Sequence, residues 1–316
     1  MRIVFLGTPE FAIPSLNSLV RAGHDVVGVF TQPDRPKGRG NRLSESPVKI
    51  AALEIGLPVH QPERVRGPEI IDQLRSLDAE LMVVVGYGQI IPQTIIDLPR
   101  YGILNVHASL LPKYRGAAPI QWAIANGETE TGVTIMQIDA GLDTGDMLLK
   151  AAVSIGPDET APELGARLAP LGAQLLSQTI DEVQAGRICC EKQNDAEATY
   201  APMLKKEDGR VDWHRSATQI YNRLRGFTRW PGAYTSFRGQ ALQILEAKPL
   251  QKLGSSPRTS EPGLLRIEKR RLFAECGGDS ELELLELQPA GKKRMRADAF
   301  LNGYKVSENE KVGEQN

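Results

Sequence analysis

Leu81-Met-Val-Val-Val85 and Ile103-Leu-Asn-Val-His107 decide how this chain folds. The first is an unbroken apolar, β-branched run, as expected of a strand at the centre of a parallel sheet with both faces covered. The second carries two polar side chains two residues apart, so on a strand Asn105 and His107 share one face. Outward from this pair the same signals recur. Arg2–Leu6 (RIVFL) and Asp25–Thr31 (DVVGVFT) read as buried strands, Leu57–His60 as a short one and Thr131–Ile138 as another. Helical stretches alternate with them, around 9–22, 47–53, 68–77 and 118–126. Thr8-Pro9-Glu10 supplies a cap, a Pro and an early acid at the first helix, and Gly23 its stop. A β-α-β series with short loops predicts an open, mostly parallel α/β sheet with helices on both faces.

The 316 residues are enough for two domains. Formal net charge is −1, which excludes a uniformly basic nucleic-acid coat, yet the halves differ: residues 1–207 are net −6 and residues 208–316 net +5. A basic back half suggests a polyanionic partner. The 3 cysteines, two of them adjacent at Cys189 and Cys190, argue against a disulfide framework. Neither a signal h-region nor an apolar run of membrane-spanning length is present, so a cytoplasmic protein with no membrane partner is expected. No metal-ligand spacing occurs, and no metal site is expected.

The back half has a different rhythm. A long helical stretch, 161–185, ends at Gly186, and 193–206 has little periodicity. A short helix near Ile220–Arg225 then precedes strand-like runs at 233–237, 241–249, 263–269 and 281–288, separated by Gly, Pro and Ser clusters. This spacing indicates a small β-barrel or sandwich. The expected organisation is a domain over 1–189, a linker over 190–207, a β domain over 208–304 and a disordered tail over 305–316.

The first turn, Gly7-Thr8-Pro9-Glu10-Phe11, lacks the glycines of a dinucleotide site, and no P-loop is present. Candidate chemistry lies elsewhere. Asn105 and His107 fall at the carboxyl end of their strand, where open α/β sheets bind ligands. Asp139-Ala-Gly-Leu-Asp143-Thr-Gly-Asp146 is a turn-rich loop after the last strand, and its glycines are expected to supply left-handed backbone. Taken singly, Asn105, His107 and Asp143 read as well as turn or structural residues. Together, an amide, an imidazole and a carboxylate suit acyl transfer without a protein nucleophile. Asn stabilises an oxyanion, His donates or moves a proton, and Asp orients the imidazole.

The segments N-V-H-A-S-L-L-P-K-Y-R-G-A-A-P-I-Q (105–121) and G-V-T-I-M-Q-I-D-A-G-L-D-T-G-D-M (132–147) resemble the 10-formyltetrahydrofolate-dependent formyltransferases. The opening G-T-P-E-F, Thr31-Gln-Pro-Asp-Arg-Pro-Lys-Gly-Arg-Gly40, Ser46-Pro-Val-Lys49, Trp230-Pro231 and Leu287-Gln-Pro-Ala-Gly-Lys-Lys293 are similar to the branch that formylates methionyl initiator tRNA. The resemblance runs from Arg2 to about Tyr304. It implies a Rossmann-like catalytic domain and an oligonucleotide-binding (OB-fold-like) barrel. It implies 10-formyltetrahydrofolate as a consumed co-substrate, and Asn105, His107 and Asp143 as the catalytic trio. Ser109, Leu110, Leu111 and Pro112 match the folate segment. Gly86, Tyr87, Gly88, Gln89 and Ile90 fall in the pterin-pocket loop.

Residues 33–49 carry Arg35, Lys37, Arg39, Arg42 and Lys49 against Asp34 and Glu45, net +3. On composition this is an exposed charged loop; the resemblance makes it the segment that probes the tRNA acceptor stem, with Arg35, Arg39 and Arg42 as contacts. Lys37 stands where related sequences often have a small residue. In the barrel, Lys292, Lys293 and Arg294 are the phosphate candidates, beside Arg223, Arg225 and Arg229. Trp213 and Trp230 are expected in the barrel core. The chain is expected to act as a monomer. Two other readings are formyl transfer to a small amine, on a sugar nucleotide or glycinamide ribonucleotide, and a nonenzymatic tRNA-binding module.

Overall fold

The computed structural model describes residues 1–37, 42–251, 261–307 and 310–313. They form two compact units. The first comprises Met1–Ile120, Glu130–Ser154 and Glu163–Pro202; the second comprises Gln121–Thr129, Ile155–Pro162 and Met203–Asn316. Among the described residues no helix is long and apolar enough to cross a membrane.

In chain order the strands of the first unit are β1 (Arg2–Gly7), β2 (Asp25–Phe30), β3 (Arg35–Lys37), β4 (Arg42–Ser44), β5 (Val59–His60), β6 (Leu81–Val85), β7 (Ile103–His107), β8 (Glu130–Gln137) and β9 (Met147–Ser154). Seven of them make one sheet in the order β5-β2-β1-β6-β7-β8-β9. The pairings from β5 through to β7 are parallel, and those of β7 with β8 and β8 with β9 are antiparallel. As expected of LMVVV, β6 is central and buried throughout. The helices of this part are α1 (Ile13–Arg21), α2 (Pro47–Glu54), α3 (Pro68–Ser76) and α4 (Gln93–Ile96), followed along the chain by α5 (Pro119–Ala125) and α6 (Ala161–Gln184). The β3–β4 pair is a hairpin that follows β2 and so rises from the carboxyl edge of the parallel strands.

Three local expectations need correction here. Thr8 does not cap the first helix; a 3-10 turn, Glu10–Ala12, precedes α1, and the Thr8 hydroxyl donates to the Tyr87 carbonyl oxygen at 3.1 Å. Residues 193–201 are no free linker. Arg115 donates its N–H to the Thr199 carbonyl at 2.9 Å, and Ala201 donates to the Arg115 carbonyl at 2.7 Å, so this stretch is bonded into the first unit. A polar sequence without periodicity still forms fixed structure when its backbone finds partners.

The second unit carries α7 (Ala217–Gly226), β10 (Ala233–Phe237), β11 (Gln240–Gln251), β12 (Leu265–Glu268), β13 (Arg271–Cys276), β14 (Ser280–Pro289), β15 (Met295–Arg296) and α8 (Ala297–Tyr304). Its antiparallel sheet runs β10-β11-β14-β13-β12, with β15 on β14. Trp213, Ile220, Leu242, Leu272, Leu284, Leu287 and Phe300 lie in its core. The third correction concerns the tail. Val312 bridges Phe237 of β10, and Lys311 bridges Leu264 just before β12. The two edge strands thus share a partner, and the sheet closes as a small barrel. Val312 is buried in the barrel core, which a composition-based reading of SENEKVGEQN misses because one apolar residue carries the contact. Edge strands left open would expose unpaired backbone.

Candidate active site

Every residue of β7 is buried, and its alternation places Asn105 and His107 on one face. Asp143 reaches them by a less direct route than its sequence position suggests. Because β8 is antiparallel to β7, Gln137 at its end pairs with Leu104 near the start of β7. The loop from Ile138 to Asp146 must therefore turn back along the sheet. Asp139 ties it by accepting from the Gly141 N–H at 3.0 Å and from the Thr144 hydroxyl at 2.7 Å. The left-handed residue is Asp143 itself, at φ 52°, not a glycine. Asp is among the few L-residues that tolerate this region. Gly141 and Gly145 are required for space instead, since a Cβ would fall 1.9 Å from the Thr144 hydroxyl and 1.8 Å from the Gln137 carbonyl.

The three side chains meet. Asn105 Nδ2 donates to Asp143 Oδ1 at 3.4 Å, and His107 Nδ1 lies 3.6 Å from Asp143 Oδ2. Asp143 Oδ2 also accepts from the Gly116 N–H at 2.8 Å. His107 Nε2 lies 2.9 Å from the Tyr114 carbonyl oxygen, which can only accept, so Nε2 carries a hydrogen. That leaves Nδ1 as the ring atom facing the carboxylate. Asn105 and His107 are 8 % and 5 % exposed, so charge developing here is poorly solvated and strongly felt by neighbouring dipoles.

The folate candidates divide. Gly86 and Gly88 are exposed with φ of 57° and 81°, and Ile90 is 89 % exposed. Tyr87 points instead into the core; its hydroxyl has no hydrogen-bond partner among the described residues, and burial pushes the phenol well above its usual range. Gln89 braces the neighbouring segment, accepting from the Val65 N–H at 2.8 Å and donating to the Pro62 carbonyl at 3.3 Å. The Ser109 hydroxyl donates to the Lys113 carbonyl at 2.6 Å. Leu111 packs with Met136 and Met147, while Leu110 and Pro112 are partly exposed. The Tyr87, Gln89, Ser109 and Leu111 side chains thus all make contacts within the fold.

Of the basic candidates in the hairpin, Arg35 is exposed on β3. Arg42 pairs through its backbone opposite Lys37, and Arg39 lies outside the described residues. At the hairpin's base Asp34 accepts from Lys49 at 2.5 Å and from Gln61 at 2.7 Å. Those bonds, the lysine's first, hold its carboxyl below the usual range.

In the second unit Lys292, Lys293 and Arg294 are exposed, with Arg294 3.5 Å from Glu286. Arg225 is not a surface cation: it is buried, donating to the Gly156 and Glu159 carbonyls at 3.0 and 2.9 Å. Arg223 covers the Trp122 and Phe227 rings. Trp213 is core as expected, but Trp230 is 56 % exposed. Among the described residues no cluster of His, Cys, Asp and Glu could hold a metal ion.

Residues 1–180 match the family model described as formyl transferase, and residues 203–305 match that of the formyl transferase C-terminal domain. This chain belongs to the formyl transferase family. Its relatives include a methionyl-tRNA formyltransferase of Solibacter usitatus, 59% identical over 99% of both chains, and one of Koribacter versatilis, 57% identical over 99% of both. A third, of Geobacter metallireducens, is 51% identical over 99% of both. The fold is shared with an N-formyltransferase of Helicobacter canadensis solved with folinic acid and dTDP-3-aminofucose. The two superpose with a TM-score of 0.66 at 18% identity, over 91% of this chain and 98% of that one. In this formyltransferase, sequence reasoning missed Arg115, Gly116 and Gln193, whose contacts span long separations. The only advance signal was an arginine, Arg115, inside an otherwise tightly turning loop.

Proposed function

We propose that this formyltransferase moves the formyl group of 10-formyltetrahydrofolate to the α-amine of methionyl initiator tRNA, giving the N-formylmethionyl form used to start translation. The observation that carries the chemistry is the meeting of Asn105 and His107 on the Asp143 carboxylate. The acceptor is taken from the full-length relatives, each named methionyl-tRNA formyltransferase. Such a reaction belongs in the cytoplasm, where initiator tRNA is charged and used.

The neutral amine attacks the formyl carbon. A C–N bond forms, and the carbonyl oxygen gains negative charge. Asn105, through an amide N–H, and His107, through Nδ1–H, supply donors that cost no reorganisation at that moment. Asp143, fixed by the Gly116 N–H, orients the imidazole. Collapse breaks the bond to N10 of the folate. The amine's proton leaves through Asp143 or water, and N10 receives one from His107, so the proton count balances. Gly86, Gly88, Ile90, Leu110 and Pro112 form the wall for the folate. The barrel unit and the β3–β4 hairpin bind tRNA, with Arg35, Arg39, Arg42, Lys292, Lys293 and Arg294 as the contacts.

A single assay tests the assignment. Labelled 10-formyltetrahydrofolate is offered with methionyl initiator tRNA, uncharged tRNA and a sugar-nucleotide amine. Label on the methionyl α-amine alone is expected. Label on the sugar amine, or on no acceptor, overturns it.

A further inference from the structure

The stretch from Gln193 to Ala201 lies along the loop that holds the trio. Tyr114 N–H donates to the Thr199 hydroxyl at 2.9 Å, and Ala118 N–H to the Ala201 carbonyl at 3.1 Å. Between these bonds the strap pairs with Arg115 through the backbone on both sides. The residues flanking Arg115 each touch the site: the Tyr114 carbonyl holds His107 Nε2, and the Gly116 N–H holds Asp143 Oδ2. Gly116 has φ 120°, and a Cβ there would come 2.7 Å from the Ala201 carbonyl, so the strap and loop are in direct backbone contact.

The side chains close the circuit. Arg115 is only 2 % exposed. Its Nε donates to Gln193 Oε1 at 2.9 Å, and its Nη2 donates to Asp195 Oδ1 at 2.8 Å. With its oxygen so engaged, Gln193 turns its amide nitrogen to the Asp143 and Gly145 carbonyls, both at 2.8 Å. Only one amide orientation satisfies all three bonds, because guanidinium donates and carbonyls accept. Arg115 is buried and Gln193 half-buried, and only the Asp195 end of the circuit is open to solvent.

We propose that Gln193 and Arg115 are positioning residues for the transfer step, setting the height of Asp143 against Asn105 and His107. The inference rests on the role given to Asp143 under the proposed function. The loop bearing Asp143 turns back along the sheet and has a left-handed residue at its tip, so its own sequence does not fix that height to a fraction of an ångström. Separations of 3.4 and 3.6 Å sit at the margin of hydrogen bonding, where a small shift decides whether the carboxylate acts on both partners. Misplacement by about 1 Å is enough to cost ~10²-fold in rate.

A double-mutant cycle with saturating substrates tests this. Gln193→Glu keeps the shape but replaces the donor facing two carbonyls with a carboxylate. It is expected to lower kcat ~10–100-fold while each KM stays within about 2-fold. Combined with Asp143→Ala, it is expected to slow the enzyme no further than Asp143→Ala alone, since it acts through that residue. Asp195→Asn, at the exposed end of the circuit, gives a smaller loss in the same direction. Should Gln193→Glu not fold, Gln193→Ala enters the same cycle. A wild-type kcat in the Gln193 variant, or losses that multiply with Asp143→Ala, overturns the positioning role. A near-wild-type Asp143→Ala enzyme overturns the proposed mechanism itself, a separate outcome.

Discussion

The polar residues of the first unit's site and the cations of the second unit's barrel are used in opposite ways. In the site a few buried groups share one carboxylate, and each hydrogen bond has a direction. In the barrel the charges are many and several are paired: Arg238 with Glu310, Arg266 with Glu281, and Arg271 with Glu283, at 2.6–2.7 Å. Arg294 and Arg296 lie 3.5 and 4.0 Å from Glu286 and Asp298. Among the described residues, Lys292 and Lys293 are exposed without an ion pair, as are Arg229, Lys248, Lys269 and Arg270. A reacting centre is recognised by convergence; a nucleic-acid surface is recognised by which cations remain unpaired.

The sharpest way to break this contrast is at the imidazole. His107→Ala removes a group with no substitute nearby and should slow turnover ~10²–10⁴-fold with donor binding unchanged, measured by rapid quench. Replacing both Lys292 and Lys293 with Ala should instead raise KM for methionyl-tRNA roughly 10-fold and leave kcat and donor KM intact. The log–log salt slope of tRNA binding should shrink by about 2. Equal losses from the Arg266 and Arg271 substitutions would show that pairing does not withhold a cation from tRNA.

Much of the first unit was legible because strands buried on both faces leave long apolar runs, as β6 does. Asn105 and His107 were legible as a pair because period-2 geometry needs no partner to be known. The antiparallel turn of β8 was not, since local periodicity is the same in either direction. Nor was Gln193: its three bonds join it to Arg115, Asp143 and Gly145, and nothing in its neighbourhood marks it. The glycines of the Asp143 loop were read as conformational when their need is for space. The tail failed for a related reason, one buried valine in a polar stretch.

Two smaller effects sharpen the account of the barrel. Val312→Ala should cost about 1–2 kcal/mol in chemical denaturation of the second unit, as expected for buried methyl groups. Acid should bring a further loss. Arg271's bonds hold the Glu283 carboxyl below the usual range, so the folded form binds this proton less readily than the unfolded chain. The pair's contribution is complete above the ordinary glutamate value of about 4.3 and fades as pH falls through the lowered folded value. Arg271→Gln should flatten that part of the Tm–pH curve; an unchanged curve would assign the acid loss elsewhere.

The most direct measurement is single-turnover formyl transfer by Asn105→Ala with saturating 10-formyltetrahydrofolate and methionyl-tRNA. The account predicts a rate ~10²–10³-fold below wild type, as for the loss of one oxyanion donor, with both substrates still bound. A rate equal to wild type would contradict it.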